Sequence, residues 1–241
     1  MDSKVNSSLP GYTQVRREDI RVGLSDSWKD PAVPKRQYES ITVKELDRYR
    51  NNEPVQPFDA LVNIIKESIP SAAVASILEI GCSTGYYSQV LKIKGISGTY
   101  HGCDYSDTFI AFASSLYPEI DFQVQDACSL AYATDQFDLV ISGCCLLHIM
   151  DYEKAIAETA RVAKKYVIFH RTPVLHIQDT SFYLKNAYGV DMFEIHFNER
   201  EFLRLIRDNG LTVLDIITFN ITALSAGNDF FSVKTYLCSK I

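Results

Sequence analysis

Ile77 to Leu91 reads ILEIGCSTGYYSQVL, an apolar run ending in Glu79-Ile80-Gly81-Cys82-Ser83-Thr84-Gly85 with a helical pattern following at once. Gly81 and Gly85 permit unusual backbone angles and leave bare main chain where a ligand can meet a strand end and a helix N-terminus. A plain glycine turn joining strand to helix is the alternative for this segment taken alone. About twenty residues on, HGCDYS ends a second apolar run in Asp104, the place from which an acid can grip ribose hydroxyls. A third run ends in Val124-Gln125-Asp126-Ala127, where Asp126 could accept from an exocyclic amine. Either aspartate could instead cap a helix. Three acids at three successive strand ends favour a cationic ligand over a pyrophosphate, and the turn lacks the G-x-G-x-x-G of phosphate-binding loops.

Proton-transfer candidates lie further along. His148 and His170 follow the fourth and fifth apolar runs, and His170 is trailed by Arg171 and Thr172. Imidazole titrates in the range a general base needs, although a histidine at such a place could equally cap a helix or support a loop. Between His170 and Asn198, an aromatic and charged stretch holds His176, Tyr183, Tyr188, Glu194 and His196. It is too long for an ordinary connector, which marks about 171–197 as a substrate-facing insert with Arg171, Tyr188 and His196 as substrate-binding candidates. The spacing lacks a tight ligand set such as H-E-x-x-H, so no metal is expected.

The elements that must position these groups alternate strand and helix: strand Ser76–Cys82, helix Gly85–Ile93, strand Thr99–Asp104, helix Asp107–Leu116, strands Asp121–Ala127 and Phe137–Gly143, helix Asp151–Lys164, strand Tyr166–His170. Near-continuous apolar strands such as DLVISGCCLL require cover on both faces, as in a doubly wound, mostly parallel α/β sheet. Asn198 and Glu201 predict a capping box for a helix stopping at Gly210, and Leu211–Phe219 and Phe231–Cys238 then pair antiparallel across the turn-rich ITALSAGND. Before this unit, Pro57 can open a helix that buries Phe58, Leu61, Val62 and Ile65. Residues 1–56 form a polar extension with Pro10, Pro31, Pro34 and Pro54, helical only over Ile41–Asn51. Its Trp28, Arg36, Gln37, Tyr38, Arg48 and Tyr49 could serve as a lid or simply pack. The domain proper is 57–241.

Composition narrows the partners. A net charge of −6 without a basic block disfavours nucleic acid and anionic lipid. No run approaches the ~20 apolar residues of a membrane span. Met1–Ser8 lacks a secretory pattern, and six cysteines without C-x-x-C pairs suit a reducing, cytoplasmic setting.

Together these residues resemble the class I (Rossmann-like) S-adenosylmethionine-dependent methyltransferases, especially those acting on small molecules, from about Phe58 onward. The family's E-x-G-x-G-x-G is met by Glu79, Gly81 and Gly85, with Ser83 in place of the middle glycine. The resemblance implies S-adenosylmethionine as cofactor, ribose contact through Asp104 with Tyr105 beside adenine, the adenine amine on Asp126 with Ala127, and Cys82 and Cys144 along the cofactor. It also implies seven strands in the order 3-2-1-4-5-7-6, the last antiparallel, and methyl transfer to a small acceptor such as a sugar or secondary metabolite. Action on tRNA or protein, a non-catalytic S-adenosylmethionine sensor, and a nucleotide-sugar or nicotinamide enzyme are the competing readings.

Overall fold

The computed structural model describes residues 9, 11–20, 23–224 and 229–240. The start of the leader with Pro10, and the centre of the turn joining the last two strands, lie outside the described residues. Five parallel strands form the middle of the sheet: β2 (Ser76–Ile80), β3 (Thr99–Asp104), β4 (Asp121–Val124), β5 (Phe137–Gly143) and β6 (Ala163–Leu175). β9 (Leu211–Ala223) and β10 (Phe230–Lys240) complete it, with β10 antiparallel to both β6 and β9. The run β4-β3-β2-β5-β6-β10-β9 is the expected 3-2-1-4-5-7-6.

The sheet departs from seven strands by recruiting three more. β6 runs thirteen residues, well past the predicted end at His170, and its Val174 and Leu175 pair with β8 (Val190–Asn198). β8 pairs antiparallel with β7 (Ser181–Ala187), and β7 with β1 (Thr13–Val15) of the leader. The insert is therefore a hairpin continuing the sheet. Its two-residue turn, Tyr188-Gly189, has φ of 53° and 78°, the positive pair that matches strand twist.

Helices cover both faces. On one, α3 (Gln56–Ser68) and α4 (Tyr86–Ile93) bury Leu61, Ile65, Val90 and Leu91 against Ile77, Leu139, Ile141 and Ile168. On the other, α6 (Tyr152–Val162) and α7 (Glu199–Asp208) bury Ile156, Ala160, Phe202 and Ile206 against Val140, Val167 and Phe169. Each such Leu, Ile, Val or Phe side chain contributes roughly 1.5–3 kcal/mol by leaving water. α5 (Asp107–Leu116) starts at the N-cap Ser106, whose hydroxyl accepts from Phe109 N. The predicted capping box at α7 is half formed. Asn198 Oδ1 accepts from Glu201 N at 3.0 Å, but Asn198 N donates to Thr180 Oγ1, which in turn donates to Glu201 Oε2.

Two further boundaries are corrected. β4 ends at Val124, leaving Asp126 and Ala127 in a turn beyond it. The leader is helical from Val33, not Ile41: α1 (Val33–Gln37) passes through a wide π turn, Tyr38–Thr42, into α2 (Val43–Arg50). Pro34 sits in the first turn, where its missing N–H costs no helical bond, so it starts this helix instead of breaking it. Among the described residues no helix is long and apolar enough to cross a membrane.

Candidate functional site

The turn after β2 is built from left-handed backbone: φ is 70° at Gly81, 52° at Ser83 and 74° at Gly85. At Gly81 a Cβ would lie 2.2 Å from Cys145 Cβ, and at Gly85 2.5 Å from Phe122 Cζ, so a side chain at either position would force its neighbour to move. Ser83 adopts the same region with a side chain, and the conformation is held from two directions. Its N–H donates to Asp104 Oδ2 at 3.0 Å, and its hydroxyl donates to Gln37 Oε1 of the leader.

Asp104, at the end of β3, is buried and also accepts from Ser106 N at 3.0 Å. Burial pushes its carboxyl up to about 6, and the backbone N–H groups that it accepts from limit the rise. Glu79 is 1% exposed, with Tyr100 donating to its Oε2. Burial raises its pKa well above the ordinary carboxylate range; the Tyr100 bond opposes this and the nearby Asp104 adds to it. Gly143 on neighbouring β5 makes the room, since a Cβ there would stand 2.3 Å from Glu79 Oε1. Among the described residues neither acid has a lysine or arginine within ion-pair distance. Asp126 differs. It is exposed and its Oδ1 accepts from Cys128 N at 2.8 Å in a local turn, so the three acids do not converge equally.

The two histidines part company. His148, in a short 3₁₀ turn at Leu146–His148, bonds Phe193 O through Nδ1 at 2.7 Å, which leaves Nε2 the acceptor nitrogen. Its ring meets Trp28 edge-on at 4.8 Å, and burial lowers its pKa below the usual 6.5, keeping it neutral. His170 is 1% exposed with both nitrogens engaged, Nε2 with Tyr87 Oη at 2.7 Å and Nδ1 with Thr235 Oγ1 at 2.8 Å. Period-two alternation along β6 turns it under α4, so it supports Tyr87 and has no free nitrogen for an acceptor. His196 is fully buried among Tyr12, Tyr183 and Phe231, its rings 4.3–5.4 Å apart, which removes it from direct acceptor contact. It faces Glu194, whose carboxyl burial would raise but which His196, His148 and Lys185 together hold at about 2.

Arg171 and Cys144 stay at the crevice, both half-buried with positive φ, 57° and 59°. Cys144 N donates to His170 O, which ties the ends of β5 and β6 together. The leader closes over this region, a packing with little local signature in sequence. Trp28 stacks near His148, Phe109 and Tyr188, and its carbonyl accepts from Ser106 Oγ at 2.9 Å. Lys29 lies 5.2 Å from the Tyr105 ring, and Arg36 donates to Tyr188 O at 3.1 Å. Gln37 bridges Ser83 and Tyr188. Glu45 and Tyr12 also reach the site from the leader. Two surface grooves, about 450 and 390 Å³, lie between Ile65 and Ser97 and between Ile77 and Ile120, the second taking in Tyr100 but none of the acids or histidines. Among the described residues no three His, Cys, Asp or Glu side chains gather as a metal set.

A family model described as a methyltransferase domain matches residues 78–169, from β2 into β6, and so takes in Glu79, Asp104, Asp126 and His148. The ubiquinone biosynthesis O-methyltransferase of Pseudomonas putida is 28% identical over 200 residues, covering 76% of this chain and 85% of that protein. Norajmaline N-methyltransferase of Rauvolfia serpentina is 34% identical over 100 residues, 39% of this chain; the match spans only 34% of that relative's length. Among solved structures, a SAM-dependent methyltransferase from Methanosarcina mazei superposes with TM-score 0.58 at 19% identity, covering 74% of this chain and 97% of that one. Magnesium protoporphyrin IX methyltransferase from Synechocystis, solved with bound SAM, gives 0.54 at 15%, covering 88% and 98%.

Proposed function

Since the chain belongs to the class I (Rossmann-like) S-adenosylmethionine-dependent methyltransferases, we propose that it transfers the methyl group of S-adenosylmethionine to a small-molecule acceptor by in-line displacement. The observation that carries this reading is the pair of buried acids, Glu79 and Asp104, under a Gly81–Gly85 turn. Two carboxyls that burial drives toward the neutral form are restored to carboxylates by a cation and by hydroxyl donors, not by a pyrophosphate. The donor set thus fits an adenosyl sulfonium with its ammonium and ribose.

When bound, the cofactor supplies an electrophilic methyl on a positively charged sulfur. The chain aligns, excludes water and moves a proton. Asp104, fixed by Ser83 N and Ser106 N, has lone pairs left for ribose hydroxyls, while Tyr105, Asp126 and Ala127 flank the adenine side and Cys82 and Cys144 line the path of the chain. His148, its tautomer set by Phe193 O, takes the acceptor's proton on Nε2. His170 positions Tyr87. The leader, residues up to 56, acts as a lid through Trp28 and Gln37.

A small acceptor agrees with the net charge of −6, and a reducing, cytoplasmic setting agrees with the six free cysteines. Titration calorimetry tests the cofactor: S-adenosylhomocysteine binds while NAD and a uridine diphosphate sugar do not, and the reverse overturns the reading. Labelled-methyl turnover into a small-metabolite pool tests the acceptor class; incorporation only into RNA or protein refutes it.

A further inference from the structure

Asp104 sits inside a closed ring of hydrogen bonds that passes through the leader. Its Oδ2 accepts from Ser83 N and its Oδ1 from Ser106 N, each at 3.0 Å. Both serines turn their hydroxyls to one leader segment: Ser83 Oγ donates to Gln37 Oε1, and Ser106 Oγ donates to Trp28 O at 2.9 Å. The chain from Trp28 to Gln37 closes the ring. That stretch is short and tied locally, since Asp30 Oδ1 accepts from Ala32 N at 2.8 Å and Asp30 O from Val33 N at 3.0 Å, so the two anchors belong to one piece.

Ser83 is half-buried and left-handed, φ 52°, where the family pattern has glycine. A serine costs backbone strain there that a glycine avoids, and what it adds is a hydroxyl whose bond runs to Gln37. Gln37 is the last residue of α1, immediately before the π turn Tyr38–Thr42, a widening of the helix that recurs at functional positions. Ser106 is fully buried and also accepts from Phe109 N, so one residue joins the cap of α5, the leader and the acid. Trp28 meanwhile stands edge-on to the His148 ring at 4.8 Å. The docked segment therefore reaches the acid through two serines and the base through one indole. Each Asp104 oxygen spends one lone pair on the ring and keeps one for a ligand hydroxyl. A ligand that meets an acceptor already oriented avoids the cost of ordering it, and by linkage it favours the docked leader by the same factor.

We propose that Gln37 is a positioning residue for the cofactor: acting through Ser83 on Asp104, it couples leader docking to S-adenosylmethionine binding, so that the bound cofactor holds Trp28 against the base. This rests on the methyltransferase reading above, with Asp104 as the ribose contact. Ser83, the departure from the family's glycine, is in this chain the catch on which the leader closes.

The test uses the full chain and S-adenosylhomocysteine. Gln37 is half-buried on the leader, so its substitution leaves the core packing intact. Calorimetry is expected to show affinity lower by about threefold to tenfold in Gln37→Ala and in Ser83→Gly, the effect of one hydrogen bond. The double substitution loses no more than the larger single loss, as two partners in one bond require. Gln37→Glu keeps an acceptor oxygen and stays within about twofold of the unsubstituted chain. Hydrogen exchange read by mass spectrometry gives the reciprocal: saturating ligand slows exchange of the α1 and α2 amides about threefold or more, and both single substitutions reduce that slowing. Ser83→Gly also relieves the left-handed residue, so without ligand its melting temperature holds or rises while affinity falls, a split that a purely structural bond does not give. Unchanged affinity in Gln37→Ala, additive losses in the double substitution, Gln37→Glu as weak as Gln37→Ala, or leader exchange indifferent to ligand overturns the proposal. Absence of S-adenosylhomocysteine binding by the unsubstituted chain would instead refute the methyltransferase reading itself.

Discussion

Replacing Asp104 by asparagine separates what holds the turn from what holds the ligand. The carboxylate uses both oxygens on backbone, Oδ2 for Ser83 N and Oδ1 for Ser106 N, each at 3.0 Å. A carboxamide has one acceptor oxygen, so Asp104→Asn sets an NH₂ against one of these N–H groups at a cost of about 1–3 kcal/mol. That loss falls on free and bound protein alike. Against it, the substitution removes a burial penalty: the Asp104 carboxyl stands at about 6 against an ordinary 3.8. With the folded value raised, the acid favours the fold fully below the unfolded value, and stability declines as pH climbs through about 6. At 1.36 kcal/mol per pH unit the decline totals roughly 3 kcal/mol. The two effects offset near neutral pH, and the melting temperature there changes little. Binding responds differently, because hydrogen bonds from ribose hydroxyls to a charged acceptor contribute about 1.5–3 kcal/mol and exist only in the complex. S-adenosylhomocysteine affinity at pH 7.5 should drop about tenfold to a hundredfold. In the unsubstituted protein, ionisation of Asp104 should contribute about a tenfold rise in affinity between pH 5 and pH 7.5, and Asp104→Asn should lose that contribution while keeping the one due to Glu79. Calorimetry at both pH values measures all four constants. An unchanged constant for the variant at pH 7.5, or a pH dependence undiminished in it, would refute Asp104 as the ribose acceptor.

His148→Gln should lower kcat by about a hundredfold to ten-thousandfold with cofactor affinity intact, measured by labelled-methyl turnover. In the unsubstituted enzyme the acid limb of the kcat profile should lie below 6.5, because burial lowers the His148 value and the neutral ring is the base. Gly81→Ala combines a left-handed residue, about 1–2 kcal/mol, with a Cβ driven into Cys145, about 1–3 kcal/mol more. Gly95→Ala, with φ 69° but open space around it, should lose only the first part, and thermal melts of the two variants check the difference.

Asp104 was legible because it closes an apolar run at a fixed distance from a glycine turn, and the structure puts it where that spacing implies. Asp126 matched the same rule by residue type, yet β4 stops two residues before it and the side chain turns to cap Cys128. His170 and His148 looked alike in sequence. Strand alternation carries one beneath α4 with both nitrogens bonded, and a 3₁₀ turn carries the other to the open edge. The insert showed its length and aromatic content but not its hairpin, since Tyr188-Gly189 is a weak turn signal beside Asn-Gly.

Sequence by itself determined the alternating elements and the glycine turn after the first of them, with the sheet order implied by the family resemblance, because periodicity and backbone freedom are local properties expressed within a few residues. Tertiary structure alone decided which groups face one another: Gln37 with Ser83, Trp28 with His148, His170 with Tyr87. Partners tens of residues apart leave no local trace, and whether an acid or imidazole titrates, donates or stays mute depends on burial that only the packed chain sets.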